Sequence, residues 1–168
     1  SSAVGHLLEL VVPEAHDVKK GKWSFKHLPV IPPHFGLSPI ERNEQRLNVL
    51  LRLMKRKDVV GLINACDAGR EGELIFRYIA QHARVKKPIE RLWLQSMTQQ
   101  SIREGSPTLR ADKELPPPAD AAKSRSEADW LVGINGTRAM TAFNSKEGGF
   151  FLTTGGRVQT ATLALLVQ

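Results

Sequence analysis

Val59-Val60-Gly61-Leu62-Ile63-Asn64-Ala65-Cys66 is the segment that most restricts the fold: it is short, apolar and β-branched, lacks alternation, and stops at Asp67. Such a run predicts a strand buried on both faces of a parallel sheet, because a half-solvated strand would alternate apolar with polar residues. Directly after it, Leu74, Ile75, Tyr78, Ile79 and His82 keep a helical period to about residue 84, and Ile89-Glu90-Arg91-Leu92-Trp93-Leu94 reads as another strand. These segments form a β-α-β unit, whose crossover is right-handed and whose strands are parallel. Asp67 therefore falls at the carboxyl end of a central strand, where open α/β sheets place their sites.

The turn itself, Asp67-Ala68-Gly69-Arg70-Glu71-Gly72-Glu73, puts one carboxylate at the strand tip and two more in the first turn of the helix. Asp67 and Glu71 can face one point in the crevice across a tight glycine-containing turn. Oxygen donors of this kind suit Mg²⁺, which keeps several waters and takes one or two protein carboxylates together with substrate phosphate. A divalent ion there would neutralise phosphate charge during strand transfer. Arg70 can grip a phosphate oxygen pair, and the amides at the helix N-terminus add to an anion site. The same residue types also arise for structural reasons, since glutamate complements the helix dipole and Asp and Gly favour strand-to-helix turns. Both readings stand at this point. The missing Gly-Lys-Ser/Thr sets aside a nucleotide-binding P-loop, and with it ATP hydrolysis.

Charge adds a partner class. Lys and Arg number 24 against 17 Asp and Glu, a net +7, which raises affinity for polyanions and makes nucleic acid the first partner to test. The single cysteine, Cys66, excludes an internal disulfide framework and a multi-cysteine zinc site, and His6, His16, His27, His34 and His82 show no metal-ligand spacing. The longest apolar stretches, Val59–Ile63 and Leu163–Val167, fall far short of the ~20 residues of a membrane-spanning helix. No basic-then-apolar signal segment opens the chain, so the expectation is a soluble cytoplasmic protein without membrane contact.

Pro13, Pro29, Pro32, Pro33 and Pro39, with Gly21 and Gly36, predict a long surface excursion over residues 13 to 39. Its basic-aromatic piece, Lys19-Lys20-Gly21-Lys22-Trp23-Ser24-Phe25-Lys26, either meets nucleic acid by charge and stacking, or uses Trp23 and Phe25 to pin the loop while its lysines face water. Leu47, Leu50, Leu51 and Met54 predict an amphipathic helix from Glu41 to about Lys57. Thr98 can cap a short helix over Gln99–Glu104. Ser106-Pro107 and Leu115-Pro116-Pro117-Pro118 mark a linker, placing a boundary near residue 116 between an α/β domain, 1–115, and a mostly helical one, 116–168. Ala119 to about Phe143 reads as one helix despite Gly133 and Gly136, each costing ~1 kcal/mol relative to alanine. A closely packed helix or a nucleic-acid backbone would account for those glycines. Val4–Leu8 and Arg157–Gln168 read as elements already in progress, so the chain is expected to be part of something longer.

The acidic turn continues into Leu74-Ile75-Phe76-Arg77. Before it come Gly5-His6-Leu7-Leu8-Glu9-Leu10 and Lys22-Trp23-Ser24 ahead of Leu28-Pro29; after it come Arg91-Leu92-Trp93, the stretch Arg125-Ser126-Glu127-Ala128-Asp129-Trp130-Leu131-Val132-Gly133-Ile134-Asn135-Gly136-Thr137-Arg138-Ala139, and Gly156-Arg157-Val158-Gln159-Thr160. This ordered set, spanning nearly the whole chain, resembles the type IA DNA topoisomerases, and the acidic turn is similar to the TOPRIM signature of their bacterial topoisomerase III branch. The resemblance implies a TOPRIM, Rossmann-like α/β domain with a parallel sheet flanked by helices, followed by a partial, mostly helical domain beside a single-strand DNA groove. It implies an ATP-independent enzyme that breaks one strand with a tyrosine, holds a 5′-phosphotyrosyl link, passes another strand and reseals. By this likeness Asp67 and Glu71 are catalytic acids that hold Mg²⁺, while Arg70, Arg91, Arg125, Arg138, Arg157 and Gln159 lie toward the DNA. Arginines there would take phosphates and position the strand more than read its bases. For Arg125 and Arg138 the alternative is a salt bridge with Glu127, Asp129 or another acid.

Two departures matter. The family pattern often has a second aspartate where this chain has Gly69, and its first-strand glutamate would precede Ser1. Tyr78, the only tyrosine, sits at an apolar helix position and belongs to the core. The nucleophile would follow Gln168, so this chain is expected to be inactive alone. A TOPRIM primase- or nuclease-like protein is one alternative, opposed by the motifs after residue 120. A non-catalytic DNA-binding module is the other, and Gly69 favours it. The full-length protein is expected at the nucleoid, with a helicase as candidate partner.

Overall fold

The computed structural model describes residues 2–16, 23–94, 96, 98–105, 107–111 and 116–167. Contacts divide the chain into two units, Ser1–Glu9 with Leu37–Ser124 and Leu10–Gly36 with Arg125–Gln168. The fold is mixed α/β, with small sheets and a long helical stretch toward the C-terminus.

In the first unit, β3 (Leu62–Asn64) and β4 (Ile89–Arg91) pair in parallel with Leu62 opposite Ile89 and Asn64 opposite Arg91. Helix α2 (Arg70–Ala83) connects them, which is the β-α-β unit expected from the sequence. A further strand, β5 (Arg110–Ala111), adds antiparallel to β4. A separate two-stranded sheet joins β1 (Leu8–Leu10) to β2 (Leu37–Pro39). Helix α1 (Glu44–Lys55) buries Leu47 and Leu50, the stripe that predicted it. Leu7, Leu8, Leu74, Phe76, Tyr78 and Ile79 complete this core, each such side chain contributing roughly 1.5–3 kcal/mol on burial.

One expectation fails here: β3 is covered on one face only. Asn64 is fully buried, whereas Ile63 is 55% exposed and Ala65, two positions on, is exposed as well. Side chains alternate across a strand, and α2 lies on the Asn64 side, where Glu73 meets the Asn64 amide. Ile63 instead lines an open hollow with Leu50, Leu53 and Met54 of α1.

Helix ends follow local chemistry. Gly69 is extended at the α2 N-terminus, and Arg84 ends that helix in the left-handed region at φ 52°, its N–H bonded to Ala80 and Gln81 carbonyls. Helix α3 (Gln99–Gly105) is capped as its sequence indicated, Thr98 Oγ1 accepting from the Ser101 N–H at 3.3 Å.

The second unit is built on α4 (Pro116–Asn144) from residue 125 onward. Asn135 clasps the main chain of Val30, accepting from its N–H at 2.5 Å and donating to its carbonyl at 3.0 Å. Trp130 receives Phe35 edge-on at 5.6 Å between centroids. Trp23 packs edge-on against Phe150 and beneath the Arg138 guanidinium, as a loop anchor would, whereas Phe25 is 51% exposed with Lys146 over its ring. Lys19, Lys20 and Lys22, the basic half of that piece, lie outside the described residues. Residues 153–155 run along α4 through two threonines. Thr141 Oγ1 accepts from the Thr153 N–H at 3.0 Å, and Thr137 Oγ1 both accepts from and donates to Gly155 at 3.1 Å. This segment, and not a second helix, is what approaches Gly136: a Cβ on Gly155 would lie 3.5 Å from the Gly136 carbonyl carbon. A Cβ on Gly133 or on Gly136 itself would meet nothing within 4 Å, so close packing accounts for neither glycine. Helix α5 (Gln159–Leu166) follows, with Leu163, Leu165 and Leu166 exposed.

Candidate metal and nucleic-acid site

The acidic turn rests on a buried polar base. Asn64 at the end of β3 donates from Nδ2 to Glu73 at 3.1 Å and accepts from the Cys66 N–H at 3.1 Å. Arg77 donates to the other Glu73 oxygen at 2.8 Å. Asn64, Glu73 and Arg91 are at most 1% exposed. Glu73 is therefore consumed inside the fold, as a buried carboxylate must be paired and hydrogen-bonded.

Asp67 and Glu71, by contrast, are exposed, and Arg70 is exposed between them. The turn is closed by the Gly69 N–H on the Asp67 carbonyl at 2.8 Å and by the Glu73 N–H on the Gly69 carbonyl at 3.1 Å. Gly72 is required there, because a Cβ at that position would lie 2.3 Å from the Asp67 carbonyl oxygen. His6 reaches across from the N-terminal segment, Nε2 lying 3.2 Å from Glu71 Oε2. No sequence signal marks His6 as Glu71's neighbour, since the contact spans 65 positions. Among the described residues no group of three or more metal-ligating side chains forms. Two exposed carboxylates nevertheless fit a hard cation that keeps most of its waters. Next to the turn, burial raises the half-buried Cys66 thiol above its ordinary pKa, so it stays protonated at neutral pH.

Two of the residues expected at the DNA lie buried in this structure. Arg91 is 1% exposed, with Nη1 donating to the carbonyls of Asn64, Cys66 and Leu92 and Nη2 to that of Asp67. Buried, with both Nη groups bonded to main-chain carbonyls, it is not presented to phosphate. Arg138 is 7% exposed, bonded to Glu14 and stacked over Trp23. Sequence alone had left a salt bridge open for Arg138, and Glu14, 124 positions away, is the acid it finds.

The remaining positively charged positions lie in the second unit. Arg125 and Arg157 both approach Asp129, at 3.8 and 2.5 Å, and both side chains keep 41% exposure. The hydrogen bond from Arg157 holds the Asp129 carboxyl below the usual carboxylate range. Arg157 lies two positions before α5, where Gly156 and Thr160 bond reciprocally, and Gln159 is exposed in the first turn. Asp67, Arg70 and Glu71 thus share one turn of the first unit, while Arg125, Arg157 and Gln159 belong to the second.

A β-α-β unit with an acidic turn at its strand tip, followed by helices, is the layout of a TOPRIM-like α/β protein. Residues 116–168 match a family model described as DNA topoisomerase. Over 167 residues, 99% of the chain, the sequence is 42% identical to DNA topoisomerase 3 of Bacillus subtilis strain 168, and equally to those of Bacillus thuringiensis strain Al Hakam and Bacillus anthracis. The chain spans 22% of the length of these relatives. Along nearly its whole length the chain is thus similar to one part of these topoisomerases.

Proposed function

We propose that this chain supplies the cation-holding and part of the strand-holding surface of an ATP-independent topoisomerase that breaks, passes and reseals single DNA strands through a 5′-phosphotyrosyl link. The observation that carries the reading is the division of labour in the acidic turn: Glu73 is buried and paired, whereas Asp67 and Glu71 stand exposed around Arg70. Asp67 and Glu71 would hold Mg²⁺, which when bound offsets charge on the scissile phosphate. Arg70 orients that phosphate by its planar fork, and the free amides at the start of α2 favour the same anion. In the second unit, Arg157 and Arg125 hold phosphates of the single strand, and Gln159 lies beside them.

Tyr78 is 5% exposed within the core and cannot serve as a nucleophile, so we infer that cleavage needs a tyrosine from elsewhere in the protein and that this chain alone does not cut DNA. The full-length protein would work on nucleoid DNA in the cytoplasm, with a helicase as candidate partner. Gly69, standing where a second aspartate is common, supports a competing reading in which the chain only binds DNA. The deciding experiment is relaxation of negatively supercoiled DNA by the full-length protein in Mg²⁺. Activity that disappears in Asp67→Asn supports the enzyme; binding without relaxation supports the module.

A further inference from the structure

We propose that Arg91 is a positioning residue for the acidic turn: its buried guanidinium sets where the Asp67 carboxylate stands. Four carbonyls converge on it, those of Asn64 at 2.8 Å, Cys66 at 2.7 Å and Leu92 at 3.0 Å on Nη1, and that of Asp67 at 2.8 Å on Nη2. Three of them run in order from the last residue of β3 to the strand tip. One planar fork therefore spaces the whole exit from strand to turn, which a lysine ammonium, a point charge on a flexible stem, does not do.

The fork is itself held. The Trp93 ring flanks it at 5.2 Å and Glu73 Oε2 lies 3.3 Å from Nε, which is buried and makes no hydrogen bond. On the far side, the Asp67 carbonyl also accepts from the Gly69 N–H at 2.8 Å and lies against Gly72, where a Cβ would come within 2.3 Å. The Asp67 main chain thus sits between Arg91 and the first turn of α2. A cation beneath a cation site would by itself weaken metal binding. Glu73, shared with Arg77, offsets part of that charge, so a favourable contribution of Arg91 has to be geometric.

The ion-binding part of this inference rests on the proposed function, and the test separates the two. In the full chain, NMR of the arginine side chains is expected to show slowed rotation for Arg91, with hydrogen-bond couplings to the carbonyl carbons of Asn64, Cys66 and Asp67. Arg91→Lys, checked for folding by circular dichroism, is expected to displace the amide resonances of residues 66–71 and weaken Mg²⁺ binding about tenfold or more, the usual scale for a group that orients a ligand from behind. Free rotation without couplings, or a folded Arg91→Lys chain with unmoved turn amides and unchanged Mg²⁺ affinity, overturns the proposal. If Arg91→Lys does not fold, the couplings in the unaltered chain decide. If neither the unaltered chain nor Asp67→Asn responds to Mg²⁺, the metal reading fails, and Arg91 is judged by the couplings and turn amides.

Discussion

Arg157 and Asp129, separated by 28 positions, form a forked ion pair: Nε donates to Oδ1 at 2.5 Å and Nη2 to Oδ2 at 3.5 Å. Arg125 approaches the same carboxylate at 3.8 Å, so one acid steadies two arginines and a net positive charge is left facing solvent. Arg157→Ala is expected to weaken binding of single-stranded DNA and to lower the salt slope of that binding by about 0.7, the share of one phosphate contact on a single strand. Fluorescence anisotropy of a labelled oligonucleotide at several salt concentrations measures both. An unchanged slope would remove Arg157 from the interface.

That pair also has a pH signature. The folded-state pKa of Asp129 is depressed by Arg157, so the pair's contribution is present above the unfolded value of about 3.9 and is lost as pH falls through the lower folded value. A carboxyl-carbon NMR titration is expected to place Asp129 below the ordinary range, and Arg157→Ala to return it upward. A midpoint that ignores Arg157→Ala would contradict the geometry.

Glu71 and Glu73 stand two positions apart and should respond oppositely to alanine. Glu73→Ala leaves Arg91 and Arg77 around an empty buried site and is expected to destabilise by about 3–5 kcal/mol. Glu71→Ala touches an exposed carboxylate, 67% accessible, and is expected to stay within about 0.5 kcal/mol while reducing the Mg²⁺ response of the turn. Urea unfolding and a Mg²⁺ titration by NMR check the two halves, and equal stability losses would sink the distinction.

The two glycines of the turn are not equivalent. At Gly69 the backbone is extended and a Cβ meets nothing within 4 Å, so Gly69→Asp is expected to fold normally, cap α2 and tighten Mg²⁺ binding by adding a carboxylate. At Gly72 a Cβ collides with the Asp67 main chain, so Gly72→Ala is expected to lower stability and displace Asp67. Calorimetric Mg²⁺ titration of both variants decides; weaker binding in Gly69→Asp would count against a metal at this turn.

Local chemistry made much of this legible in advance. The Leu47–Met54 stripe, the helical period after Gly69 and the Thr98 cap depend on residues within a turn or two of one another, and α1, α2 and α3 formed where they indicated. Strands β2 and β5 were not legible. Leu37–Pro39 lies in a proline-rich stretch and Arg110–Ala111 is polar, and each is a strand only because a distant partner pairs with it. The one-sided burial of β3 was misread because an apolar run states what a strand could bury and not what is present to cover it.

The order of residues alone determined the β-α-β unit and the collection of Asp67, Arg70 and Glu71 in one short turn, because neighbours in sequence cannot separate. Tertiary structure decided the fates of side chains that look alike as letters. Arg91 and Arg138 turn inward to carbonyls and Glu14, Glu73 is buried while Glu71 is not, and Arg157 finds Asp129. Burial and ion pairing are set by what the rest of the chain brings to a side chain, and over tens of residues only the folded structure holds that information.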